Sequence, residues 1–538
     1  MPDLRPPLLP EVLALPEVLA QRAVAHPDAV YVQDAESGEA LTYGQADALS
    51  RAWAYAFARE GVQRGATVLT MLPPGFPALG AWLGIAWLGA LEVPINTAYR
   101  GRMLRYVIDD SQARCLVVHA DHLDPVTESL GGGPALDTVV VVGAAACDVP
   151  GARVVTEDEF LTGAPVLALT PPEAHDIASI LYTSGTTGPS KGVLVPWAQA
   201  HLTGTGIVPP ELFGPEDAFY SPFPMYHMSG KGPLVAMAAV GGRVVVRSRF
   251  STADFWSDVR TYRVSSTILM GAMVNFLIGQ PESPDDADTP LRDVLMLPLA
   301  DDLEAFERRF GLSSRATFNM TETACCILSD GYDLANTTSC GKARPGFQAR
   351  VVDAFDREVG PGQLGELVLR ADEPWTLMAG YWNKPEATVR AWRNQWLHTG
   401  DGFTRDEDGN FYFVDRLKDS IRRRGENVSS TEVEADVNEH PGVLESAAIA
   451  VPSDQSEDEI KVVVVLKPGS ALTPEELLTF LETRMARFMV PRYVELVDEL
   501  PKTPTLKILK AELRERGVTP ATYDRGDSRR RPVAVAPA

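Results

Sequence analysis

The chain has few cysteines and does not space them for chemistry. Cys115, Cys147, Cys325, Cys326 and Cys340 are the whole set in 538 residues, with no Cys-x-x-Cys pair. That pattern argues against a disulfide framework or a thiolate zinc site, and it suits a reducing cytoplasm. Long basic blocks are missing too: 49 Lys and Arg stand against 72 Asp and Glu, for a net charge of -23. Such a chain is not built to bind nucleic acid or an anionic membrane. The longest uncharged apolar run, Phe76 to Leu91, is too short to span a bilayer and contains Pro77 and three glycines. It reads as a buried helix. The opening Met-Pro-Asp-Leu-Arg-Pro-Pro lacks the charged and apolar regions of a signal peptide. No repeat period is present, and a biased composition occurs only in the Pro/Ala/Arg-rich tail, read as disordered.

The length exceeds what one core supports, so two or more domains are expected. Apolar content of 45% and charged content of 22% are those of an ordinary globular protein. Strand and helix signals alternate: a helix over Gln45 to Glu60, a strand over Ala66 to Met71, the Phe76 helix, and a strand near Glu92 to Ile95. A helix from Gly101 to Asp110 and strands Cys115 to His119 and Thr138 to Val142 follow. This spacing implies parallel sheets with helices on both faces.

The most informative stretch is Leu181-Tyr-Thr-Ser-Gly-Thr-Thr-Gly-Pro-Ser-Lys-Gly192. An apolar strand runs into Thr183, Ser184, Gly185, Thr186, Thr187, Gly188 and then Lys191. The glycines let backbone N–H groups approach an anion, the hydroxyls add donors, and the lysine adds a compact cation. This is a polyphosphate cradle. It is not a Walker loop, because glycine rather than Ser or Thr follows the lysine. A phosphotransferase of that class is thereby excluded.

Further along stand Pro224-Met-Tyr-His227, Thr317-Phe-Asn-Met-Thr-Glu322, His398-Thr-Gly-Asp401, Asp415-Arg416, Arg424-Gly-Glu-Asn427 and Thr503-Pro-Thr-Leu-Lys507. Capping-box spacings at Ser429/Glu432 and Thr473/Glu476, with strands Glu445 to Val451 and Ile460 to Leu466, mark a C-terminal α+β unit.

Taken in this order, the motifs resemble those of the adenylate-forming superfamily, which includes acyl-CoA synthetases, peptide-synthetase adenylation domains and luciferase. The resemblance implies an α/β fold: a large N-terminal domain of stacked sheets with a small barrel-like subdomain (1–415), a hinge at 416–418 centred on Lys418, a mobile C-terminal α+β domain (419–522), and the tail (523–538). It also implies roles. Thr183 to Gly188 and Lys191 would bind ATP phosphates, Phe318 and Asn319 would lie by adenine, and Thr321 would meet the α-phosphate. Glu322 would hold Mg²⁺, Asp401 the ribose hydroxyls, and Arg416 the ribose and phosphates. His227, with Lys231 on the same helical face and Met273 on a nearby helix, would line the substrate pocket. Arg424, Gly425 and Glu426 would form the acceptor loop. Lys507 would act catalytically with Thr183 and Glu322, bridging the substrate carboxylate and the α-phosphate. This chain departs from the pattern at Asn319, Arg424 and Leu506, each standing where glycine is usual.

The function implied is ATP- and Mg²⁺-dependent adenylation of a carboxylic acid, followed by transfer to CoA. Two alternatives stand beside it. One is an ATP-dependent diazotase of secondary metabolism, taking nitrite and an aryl amine without CoA, and the other a nucleotide-binding protein without turnover. Monomer and homodimer are both open.

Overall fold

Continuous apolar strands separated by helices build the first sheet. The computed structural model describes residues 9–526 apart from 131–135, 144–147, 164–167, 184–189, 298, 301, 417–420, 424–425, 429, 453–457, 483, 486–488 and 504–506. Leu91–Pro94, Thr67–Met71, Cys115–His119, Thr138–Val142 and Arg153–Thr156 lie side by side in that order, all parallel. Thr138–Val142 is buried at every position. A parallel strand covered on both faces reads as a valine run rather than an alternation.

The second sheet has 13 strands. Val30–Asp34, Arg243–Val246, Ala218–Ser221, Ser266–Met270, Asp293–Leu297 and Ser313–Phe318 form its parallel part. Beyond Ser313–Phe318 it continues antiparallel to the strands Leu397–Arg405 and Phe411–Arg416. A small third sheet joins Ile177–Thr183, Lys191–Pro196 and Gly380–Tyr381.

The C-terminal unit has its own sheet, Val443–Pro452, Asp458–Leu466, Tyr493–Val497 and Tyr523–Asp524, and its own core around Val433, Val462, Leu477 and Leu481. The expected second cap is present. The Thr473 amide donates to Glu476 Oε2 (2.9 Å), and the Glu476 amide donates to Thr473 Oγ1 (3.3 Å), ahead of the helix Pro474–Glu482. The architecture is thus a large α/β unit followed by a smaller α+β unit.

The run Phe76 to Leu91, read as one helix, is a helix, a turn and the start of a strand. The helix ends at Trp87, Gly89 turns at φ 63, and the strand begins at Leu91. Gly80 and Gly84 on that helix are required by packing. A Cβ at either would meet Trp53 at 2.5 Å, so these glycines let the helix Tyr43–Arg59 approach. No helix among the described residues is long and apolar enough to cross a membrane.

A buried ion pair pins these layers together. Lys231 is wholly buried, and its Nζ donates to Glu92 Oε2 at 2.7 Å and lies 3.8 Å from the Trp82 ring centroid. Glu92 also accepts from Thr70 Oγ1 (3.0 Å) and Ser179 Oγ (2.6 Å). Burial lowers the lysine pKa, and Glu92 opposes that shift. Four separate elements therefore meet at one carboxylate. Lys231→Met should strand that carboxylate without its cation and cost about 3–5 kcal/mol of stability. The expected readout is a large fall in apparent Tm, much of it recovered when Glu92→Gln is added, because a neutral amide needs no counter-ion.

Candidate active site

Antiparallel register fixes the mouth of the phosphate hairpin. Tyr182 opposes Gly192 and Thr183 opposes Lys191, with Thr183 Oγ1 3.4 Å from the Lys191 carbonyl. Ser184, Gly185, Thr186, Thr187 and Gly188 lie outside the described residues. The Lys191 ammonium sits 4.3 Å from the centre of the Tyr381 ring, a cation–π contact rather than an ion pair. Tyr381 in turn donates its hydroxyl to Glu322 Oε1 at 2.9 Å, and the Met378 amide donates to the Glu322 carbonyl at 3.0 Å. Lys191 and Glu322, 131 positions apart in the chain, are thus joined through one tyrosine. Pairing of Gly380–Tyr381 with Leu194 and Val193 puts that tyrosine in place.

The Phe318 to Glu322 segment is held from behind. Gln199 Nε2 donates to the carbonyls of Thr321 (2.9 Å) and Thr323 (2.8 Å). Asn319 accepts from Thr323 Oγ1 at 3.2 Å, so the residue replacing glycine takes part in fixing this turn. The Phe318 ring meets Phe403 edge-on at 4.9 Å, and Phe403 lies two positions after Asp401. Asp401 is buried, and its amide donates to Thr399 Oγ1 at 3.1 Å. Glu366 shapes the same turn by accepting the Gly400 amide (3.0 Å) and lying 2.9 Å from His398 Nδ1. Asp401 stands opposite Arg416 across the strand pair.

His227 caps the helix Met228–Val240, accepting the Ser229 amide on Nδ1 at 3.2 Å. Its ring keeps some open surface yet is closely surrounded. Burial first, and then the Lys507 charge, push its pKa down to about 4. Lys507 belongs to the C-terminal unit, where its amide donates to Thr503 Oγ1 at 3.0 Å. The last motif of the chain is thus near enough for its charge to act on the His227 ring. The Ser430 amide and hydroxyl both donate to Asp415 Oδ2, at 2.8 and 2.6 Å.

Two expected pocket residues are placed differently. His227 precedes the helix in extended conformation, and Lys231 is buried in an ion pair with Glu92. Its charge is already paired with that carboxylate. Met273 is 1% exposed and packs with Val274 and Leu277 in the main core. The exposed apolar positions of that helix are Phe276 and Ile278. Lys418, Arg424 and Gly425 fall outside the described residues, and Arg416 and Glu426 are described only in their backbone. Tyr381, Gln199 and Glu366 were not anticipated. Only Tyr381 has a local signal, an aromatic pair after Gly380 in a short strand.

Comparison with known proteins agrees with this geometry. The AMP-binding enzyme family matches residues 19–382, and the AMP-binding enzyme C-terminal domain matches residues 432–507. A sulfoacetate–CoA ligase of Cupriavidus necator is 31% identical over 94% of this chain and 98% of its own. A crotonobetaine/carnitine–CoA ligase of Citrobacter koseri is 32% identical over 85% of this chain and 90% of its own. Among solved structures, ATP-bound MatB from Rhodopseudomonas palustris aligns with a TM-score of 0.80 at 25% identity, covering 93% of this chain and 98% of that one. The curated relatives are CoA ligases, and neither they nor the neutralised Lys231 support nitrite and aryl amine as substrates. Matched across both of its units, the chain belongs to the AMP-binding enzyme family, the adenylate-forming CoA ligases.

Proposed function

We propose that the protein uses ATP and Mg²⁺ to adenylate a small organic carboxylate, and then transfers the acyl group to the thiol of coenzyme A. The observation that carries this reading is the cluster in which Tyr381 joins Lys191 to Glu322, with the charge of Lys507, from the C-terminal unit, felt at His227. A cation there suits a carboxylate meeting the α-phosphate, while the Lys191–Tyr381–Glu322 cluster suits the outgoing phosphates.

Glu322 is a buried single carboxylate, and no group of three or more His, Cys, Asp or Glu that could hold a metal occurs among the described residues. One hard oxygen donor fits an ion whose other ligands are phosphate oxygens. Glu322 would hold that Mg²⁺, which when bound offsets phosphate charge.

In the first step a carboxylate oxygen attacks the α-phosphorus. The bond to the bridging oxygen breaks and pyrophosphate leaves with the electron pair. Lys507 neutralises charge shared between the incoming carboxylate and the α-phosphate, and Lys191 does so at the leaving group. Asp401 accepts from the ribose hydroxyls, a task suited to two carboxylate oxygens. In the second step the CoA thiolate attacks the acyl carbon and AMP departs. A cytoplasmic setting accords with the unpaired thiols of Cys115, Cys325, Cys326 and Cys340.

Lys507→Ala should lower acid-dependent pyrophosphate release by about 10²–10³-fold, the usual effect of removing one preorganised transition-state donor. Binding of Mg·ATP should change little. The check is pyrophosphate release and ATP titration across a panel of short acids; undiminished release would remove Lys507 from the chemistry. AMP and a thioester should accumulate only when acid and CoA are both supplied, and ADP as product would refute the proposal.

The His227 shift also sets a pH window. An imidazole with pKa 6.5 when unfolded and about 4 in the fold binds fewer native-state protons between those values. Its contribution is present in full above pH 6.5 and is lost as pH falls toward 4. Wild-type apparent Tm should therefore drop more steeply across this range than that of His227→Gln. Equal slopes would show that the ring titrates normally.

A further inference from the structure

The stem of the phosphate hairpin is gripped from outside by one face of the helix Gly101–Ser111. Tyr106 and Asp110 are one helical turn apart on it, so their side chains point the same way. The Tyr106 hydroxyl donates to the carbonyl of Ser190 at 2.9 Å, next to Lys191. Tyr182, next to Thr183, donates its hydroxyl to Asp110 Oδ2 at 2.7 Å. Both ends of the stem are therefore bound to one helix, and the two rings also meet edge-on at 6.4 Å. Burial raises the pKa of both phenols, with Asp110 adding to it, so both stay protonated and donate.

Asp110 holds a second element as well. Its Oδ1 pairs with Lys384 Nζ at 2.8 Å, and its carbonyl accepts from Trp382 Nε1 at 2.9 Å and Asn383 Nδ2 at 3.2 Å. These residues directly follow Tyr381, the ring beneath Lys191 that also bonds Glu322. One carboxylate thus fixes the hairpin stem and the tyrosine segment relative to each other.

We propose that Tyr106 and Asp110 are positioning residues for the polyphosphate of ATP, acting through Thr183, Lys191 and Tyr381 rather than by touching the nucleotide. The inference rests on the reading of Thr183 and Lys191 as phosphate-binding. Its signature is selectivity: ligands carrying β- and γ-phosphates, or pyrophosphate itself, depend on the grip, and AMP does not.

The test is equilibrium binding of Mg·ATP, Mg·pyrophosphate and AMP to the full chain by calorimetry, for wild type, Tyr106→Phe, Asp110→Asn and Lys191→Ala. Loss of one such hydrogen bond or of the charge on Asp110 should weaken Mg·ATP and Mg·pyrophosphate about tenfold, with AMP held within about twofold. A parallel loss of AMP affinity would mean general damage and would overturn the proposal. Unchanged ATP and pyrophosphate binding in Tyr106→Phe and Asp110→Asn, with Lys191→Ala still weakened, would overturn the grip alone. If Lys191→Ala binds all three ligands as wild type does, the phosphate-site reading itself fails, and the grip with it.

Discussion

A chain of net charge -23 repels the polyanion that it must hold, so cation placement governs the site. Most of the interior cations are already committed. Lys231 pairs with Glu92, Arg315 with Asp293, Arg423 with Glu459, and Lys461 with Glu495. Each serves to fasten elements together, because a buried charge without a partner would be ruinous. Lys191 is different: like Lys231 it faces an aromatic ring, but among the described residues no carboxylate pairs with it as Glu92 pairs with Lys231. A quadrupole holds an ammonium in position without cancelling its charge, which on the proposed reading leaves the cation to act on an incoming phosphate.

The same logic explains why the surrounding contacts are mostly neutral. Gln199 fixes the Thr321 turn through carbonyls, and Thr399 fixes Asp401 through a hydroxyl. Neutral hydrogen bonds set geometry without competing for the nucleotide's charge. The carboxylates of Glu366 and Asp110 are occupied by histidine, amide, phenol or lysine donors. Their negative potential is spent locally.

What could be read from the sequence follows from how far apart the cooperating residues are. The phosphate hairpin, the Phe318–Glu322 turn, the Thr399–Asp401 turn and the Thr473 cap are all local. Their chemistry lies within a few consecutive positions, so spacing alone exposes them. Strand–helix alternation was legible for the same reason. The break at Trp87 was not, because an apolar composition fits a buried helix and a buried parallel strand equally well. Nor was the fate of Lys231. Helical spacing put it beside His227, but Glu92, 139 positions earlier, claims it, and no local pattern records a partner that distant. Tyr381, Gln199 and Asp110 share that property, since each bonds a segment far from it in the chain. Met273 was placed by analogy with a pocket helix, and its inward turn is set by the core that it fills.

Asp415 and Ser430 meet across the proposed hinge, and Lys510 links Ser430 to Glu434. The strand carrying Asp415 lies beside the strand carrying Asp401, so the proposed ribose end of the site and the residue bonded to Ser430 share one sheet. On the proposed reading that unit must present Lys507 for adenylation and its acceptor loop for transfer. Among the described residues the Asp415–Ser430 contact is hydrogen-bonded, and such bonds can be exchanged for bonds to water. An apolar joint of the same size would resist turning, because opening it would expose hydrocarbon. On the proposed reading, a polar contact at this junction suits a two-step enzyme, just as a lysine held by a ring, with no ion pair among the described residues, suits its first step.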